Sequence, residues 1–192
     1  MKLVPRLGDR SAFSELRAVA YLNHAGISPA SDPARAAVAR ALAEQAEQGS
    51  VAFGARMVER EALRDKLATL LHADSDELAL VPNTMYGLSA IAVSLPWRRG
   101  DRVIVFGGEY PTNVSVWQSA CDRFGVSITQ LPLNDFARAE GPDFSRLEAE
   151  LAKGRVQLCA VSAVQFQTGL RMPLERIAEL CHAHGAQLTV DA

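Results

Sequence analysis

A carboxylate closes the last apolar run of the chain: Asp191 follows Gln187-Leu188-Thr189-Val190. In an open α/β sheet, ligands bind at the carboxyl edge of the strands, so an aspartate there is placed to act on a bound group. The competing explanation is a helix cap in a βα loop. Two further segments reach the same edge. Val81-Pro82-Asn83-Thr84-Met85-Tyr86-Gly87 leads from an apolar run into a helical pattern. That junction would turn the amides of Thr84 and Met85, and the Thr84 hydroxyl, toward an anion such as phosphate, although Asn83 or Thr84 acting only as a cap accounts for the same residues. Gly107-Gly108-Glu109-Tyr110-Pro111-Thr112-Asn113 supplies an aromatic ring and an amide. A flat ligand would use the ring; a half-buried loop tyrosine, with Thr112 or Asn113 as the next cap, is the alternative. Three such segments at one edge favour a ligand site.

Other chemistries find little support. No Gly-x-Gly-x-x-Gly follows a strand, so the dinucleotide fingerprint is missing. His182 and His184 are two apart on a helical pattern and face different directions, unlike a metal pair at i and i+4. His72 reads as a helix-end residue. The cluster Arg98, Arg99 and Arg102 reads as solvated surface.

The elements that must position these groups follow from periodicity. From about Leu78 the chain alternates short β-rich runs with helical patterns, the signature of βαβ units in an α/β fold with a mostly parallel sheet. Five strands are expected: Leu78 to Pro82, Arg102 to Gly107, Val126 to Leu131, Val156 to Val164 and Gln187 to Asp191. Met85 to Leu95, Asn113 to Phe124, Phe144 to Ala152 and Pro173 to His184 carry apolar residues at spacings of three and four, as amphipathic helices do. Gly100, Gly125, Gly154 and Gly185 sit where helices should stop. The first 76 residues lack a convincing strand and carry two helices, about Pro33 to Gln48 and about Arg56 to Leu71. The expected organisation is an N-terminal helical segment, 1–76, followed by 77–192 with five βα units.

Composition bounds the partners. A chain of 192 residues with 48% hydrophobic and 22% charged residues has the balance of a globular domain with a sizeable core. Its net charge of -2 gives no broad attraction to nucleic acid or an anionic membrane, so a small molecule is the expected ligand. Cys121, Cys159 and Cys181 form no CxxC pair and read as reduced thiols of a cytoplasmic protein. Met1 to Arg6 lacks the apolar stretch of a signal peptide, and no run approaches the roughly 18 to 20 apolar residues of a membrane span.

Taken in order, Tyr21-Leu22-Asn23-His24-Ala25-Gly26, Pro82-Asn83-Thr84-Met85-Tyr86-Gly87-Leu88, Gly100-Asp101, Glu109-Tyr110-Pro111-Thr112-Asn113, Gln165-Phe166-Gln167-Thr168-Gly169 and Val190-Asp191-Ala192 resemble class V aminotransferases. That superfamily includes cysteine desulfurases, kynureninases and isopenicillin N epimerase-like proteins, and the closest flavour is epimerase-like. The resemblance implies a three-layer α/β fold, the aspartate aminotransferase-like large domain, cut before its last strands. It also implies pyridoxal 5'-phosphate as cofactor. Thr84 and Met85 would contact its phosphate, Tyr110 would stack on its pyridine ring, and Asp191 would pair with the ring nitrogen. Asn113 and Gln165 match positions near cofactor or substrate, while desulfurases commonly have an asparagine where this chain has Phe166.

The same resemblance places the cofactor lysine beyond Ala192, because Lys2, Lys66 and Lys153 do not match its position. The expected whole is a homodimeric enzyme acting on an amino acid, by transamination, racemisation, elimination or desulfuration, of which this segment alone would be inactive and prone to aggregate. The alternatives are a non-catalytic derivative of the fold that serves as a binding partner, and a doubly wound nucleotide-binding domain.

Overall fold

The computed structural model describes residues 9–24 and 26–192. Met1 to Arg6, and Ala25 of the Tyr21 to Gly26 motif, lie outside the described residues. The chain divides into two compact units, one ending at Leu80 and one spanning Val81–Ala192. Among the described residues, no helix is long and apolar enough to cross a membrane.

The first unit holds helices α1 (Asp32–Gln48) and α2 (Ala52–Leu71). Helix α1 starts where the Ser31 side chain accepts from the Ala34 amide, with Pro33 in its first turn, and stops at Gly49 in a positive-φ conformation, as cap chemistry requires. An Arg56–Glu44 ion pair links the two helices. No residue of α1 is buried, and Val38, Leu42, Phe53 and Val58 are exposed within this unit.

The second unit is built on four parallel strands: β1 (Arg102–Phe106), β2 (Ser127–Leu131), β3 (Val156–Ser162) and β4 (Gln187–Asp191), in the order β2-β1-β3-β4. The central pair reads as continuous apolar sequence because both faces are covered. Val103 and Val105 point to one side and join Leu88, Ala92, Val116, Trp117 and Ala120. These come from α3 (Thr84–Ser94) and α4 (Thr112–Phe124). Ile104 and Phe106 point to the other side and join Leu147, Leu151, Ile177, Leu180 and Cys181, from α5 (Ser145–Ala152) and α6 (Leu174–Ala183). The period-two alternation of strand side chains thus creates a three-layer α/β/α sandwich.

Four of the five expected strands are present, each within two residues of its expected end. The fifth is a correction: Leu78 to Pro82 forms no strand, and Leu80 and Val81 are 42% and 43% exposed. A strand is defined by its ladder, and no strand among the described residues lies beside this segment to complete one. The large unit accordingly has four strands, not five βα units.

Candidate functional site

The carboxyl ends of β1, β3 and β4 deliver a buried polar cluster. After Phe106 the chain turns through Gly107 and Gly108, the latter at φ +74, where a side chain would be strained. That turn folds Glu109 back under the loop until it is only 9% exposed. Its carboxylate accepts four hydrogen bonds, two on each oxygen. Oε1 takes the Ser162 backbone amide at 2.9 Å and Gln165 Nε2 at 2.9 Å. Oε2 takes the Ser162 hydroxyl and Asn113 Nδ2, the latter at 3.2 Å. An acceptor-only group suits four donors, and such saturation is what allows a carboxylate to be buried.

Asn113 carries the cluster from Glu109 to Asp191. It lies in the first turn of α4 and is 3% exposed. Its Nδ2 also donates to Ser162 Oγ at 2.9 Å and to Asp191 Oδ2 at 3.0 Å. Three acceptors around two hydrogens fix which end of the amide is nitrogen, because the flipped amide would set its oxygen against two carboxylates. The consequence is that Asn113 Oδ1 is buried without a partner, at a cost of about 1–3 kcal/mol. Asp191, the last residue of β4, is half-buried, and the Asn113 bond is the one its carboxylate makes among the described residues. One acceptor oxygen is left for something else.

Gln165 is 1% exposed and is held by its own loop. Its amide donates to Leu170 O and its carbonyl accepts from the Gly169 amide. Tyr110 is half exposed and meets Phe166 edge to face, with ring centroids 5.2 Å apart. Thr84 and Met85 begin α3, where Asn83 is the cap and its Oδ1 accepts from the Tyr86 amide at 2.9 Å. The first amides of a helix have no intrahelical acceptor, so those of Thr84 and Met85 remain donors available to an anion.

Of the six residues singled out in the sequence, Asn113, Gln165 and Asp191 therefore share one hydrogen-bonded network. Tyr110 borders it without joining, and Thr84 and Met85 stand at a helix start. The cap alternative holds for Asn83 but not for Asn113, whose helix is preceded by Pro111 with no side-chain cap. Sequence reading passed over Glu109 and Ser162. The available signal was a carboxylate directly after two glycines that end a buried strand, a place where it must turn inward or strand itself at the sheet edge.

The cysteines lie apart from this chemistry. Cys159 and Cys181 are fully buried in the core between β3 and α6. The Cys159 thiol is pushed well above the usual range, first by its hydrogen bond to Cys181 and then by burial. Burial also raises Cys121. The His24 Nδ1 contact to Ser28 Oγ at 3.1 Å is local to the first unit. Among the described residues, no group of three or more His, Cys, Asp or Glu could hold a metal ion.

A family profile described as aminotransferase class V matches residues 23–192. The chain belongs to the class V aminotransferase family. It is similar to a cysteine desulfurase of Klebsiella pneumoniae, 33% identical over 141 residues, which cover 68% of this chain and 32% of that protein. A probable cysteine desulfurase of Chlamydia muridarum is 34% identical over 133 residues, 67% of this chain and 32% of the relative. The chain thus spans about a third of the length of these relatives. Among solved structures, C-DES with glycine covalently linked to its PLP cofactor superposes with a TM-score of 0.86 at 23% identity, covering 96% of this chain and 49% of that one. The cysteine desulfurase CsdA of Escherichia coli gives 0.61 at 27% identity, over 74% and 36%. The C-DES likeness shares the sandwich described above, and the class V fold accounts for its layering.

Proposed function

We propose that this class V chain is the N-terminal portion of a pyridoxal 5'-phosphate-dependent enzyme that acts on an amino acid. The observation that carries the reading is Asp191: a carboxylate at the strand edge, held on one oxygen by buried Asn113 and open on the other. The donor set fits the cofactor. A helix start offers amides to a phosphate, a half-exposed ring offers a face to a pyridine, and an anion offers itself to a protonated nitrogen.

The cofactor, when bound, supplies an electron sink for charge developing at the substrate Cα. Asp191 would keep the ring nitrogen protonated, since a nearby opposite charge favours the ionised form. The amides of Thr84 and Met85 would hold the phosphate, and Tyr110 would offer its half-exposed face to the ring. Asn113 and Gln165 brace the floor from the buried side. The lysine that anchors the cofactor is supplied by sequence outside residues 1–192, and the whole protein is a cytoplasmic homodimer.

Desulfuration is the reaction of the named relatives. Here it would require a thiol from outside this segment, because Cys159 and Cys181 are sealed in the core and Cys121 lies two turns along α4 from the site residue Asn113. The test is spectroscopic. Adding pyridoxal phosphate to the intact polypeptide should produce an absorbance band near the visible edge that borohydride bleaches. Absence of any such band would remove the proposal in favour of a non-catalytic binding role.

A further inference from the structure

Glu109 is a buried charge that the proposed chemistry does not yet use. The direction of the hydrogen bonds around it is set. Ser162 Oγ donates to Glu109 Oε2 and therefore accepts from Asn113; that Asn113 hydrogen is shared with Glu109 Oε2, and the second is left for Asp191. Asn113 cannot rotate to satisfy its orphaned Oδ1 without aiming that oxygen at Glu109 and Asp191. The amide thus faces the carboxylates at the expense of its other end.

We propose that Glu109 is a positioning residue for the ring-nitrogen partner: acting through Ser162 and Asn113, it locks one oxygen of Asp191 and leaves the other to the cofactor. The inference rests on the reading of this edge as a pyridoxal phosphate site. Replacing Glu109 by glutamine puts an NH2 group in the place of one of its two oxygens. The two donors that met that oxygen then face a donor: on the Oε2 side these are the Ser162 hydroxyl and Asn113 Nδ2, on the Oε1 side the Ser162 amide and Gln165 Nε2. With the NH2 on the Oε2 side, the chain of hydrogen bonds loses its direction, Asn113 is free to turn its oxygen toward position 109, and Asp191 is left unbraced.

The experiment uses the intact polypeptide loaded with pyridoxal phosphate carrying ¹⁵N in the ring, and follows the nitrogen chemical shift against pH. In the unaltered protein the ring nitrogen should be protonated at neutral pH. Glu109→Gln should lower the midpoint of its titration by about one pH unit, a tenfold loss of proton affinity. Asn113→Ala, which leaves Glu109 three of its four donors, should shift it in the same direction. The double variant should add nothing further, since both act along one path. If Glu109→Gln does not fold, Ser162→Ala, which removes the hydroxyl between Glu109 and Asn113 without touching Asp191, carries the test: it should lower the midpoint in the same direction, and an unmoved midpoint would overturn the relay. Asp191→Asn separates the two levels of argument. If it abolishes ring protonation while Glu109→Gln and Asn113→Ala leave the midpoint unmoved, the positioning role is overturned and the site stands. If Asp191→Asn itself changes nothing, the site reading fails.

Discussion

In the site as proposed, Asp191 and its neighbours fall into two kinds of residue, those assigned to a ligand and those that hold them still. The first kind could be read from the sequence, because strand-edge position and residue type suffice to single out Asp191 and Tyr110. The second kind depends on which loops meet. Glu109 and Ser162 are 53 positions apart in the chain and bond only because β1 and β3 pair side by side. Gly108 tests how tightly that arrangement is set. Its φ of +74 penalises any side chain, and an added Cβ would lie 3.5 Å from Gln165 Oε1. Gly108→Ala should therefore cost about 1–2 kcal/mol in denaturant unfolding of the intact protein. A neutral result would mean that the turn relaxes freely. The cysteines offer a second check at this scale. With its thiol sealed in and raised above the usual range, Cys159 is neutral at pH 7 and should resist iodoacetamide until the protein unfolds, as followed by mass spectrometry. Because the shift is upward, raising the pH should speed labelling only above the ordinary thiol range; rapid labelling at neutral pH would contradict the burial.

At the scale of elements, α4, α5 and α6 were legible because each carries an apolar stripe and a glycine at or just past its end. Helix α4 ends at Gly125 in the left-handed conformation, whose amide bonds back to Cys121 O, and the central strands announce themselves as unbroken apolar runs. Leu78 to Pro82 has the same local character as a strand, with Leu78, Leu80 and Val81 in a short run. What the run lacks is a neighbour to pair with, and pairing is a long-range property that no window of sequence contains. Trp117 shows what the core asks of a single position. It is fully buried between α4 and the sheet, and its Nε1 has no hydrogen-bond partner among the described residues. Trp117→Ala should cost about 3–5 kcal/mol through the cavity it leaves. Trp117→Phe loses less volume and also removes an orphaned donor worth about 1–3 kcal/mol, so its net cost should be far smaller. A Trp117→Phe loss as large as the Trp117→Ala loss, measured by urea unfolding of the intact protein, would contradict this expectation.

For the molecule as a whole, the two units differ in how they are covered. The sheet unit has a double-sided core. The helical unit leaves Val38, Leu42, Val51, Phe53, Val58 and Leu70 exposed, and in the sheet unit β4 has a neighbour on one side alone. Apolar surface and open strand edges of this kind favour association. Residues 1–192 expressed alone should bind a hydrophobic dye and elute as aggregates in gel filtration, whereas a sharp monomeric peak with a cooperative melt would show that the segment is self-sufficient. The family and the layered fold were both legible in the ordered set of short motifs. The support of the site was not, because it is made by side chains that meet only after the strands have paired. The central claim concerns a single contact, and a crystal structure of the intact polypeptide with pyridoxal phosphate measures it directly. The account predicts one Asp191 oxygen at hydrogen-bond distance from the pyridine nitrogen, with the other still on Asn113; an Asp191 side chain turned away from the bound ring would contradict it.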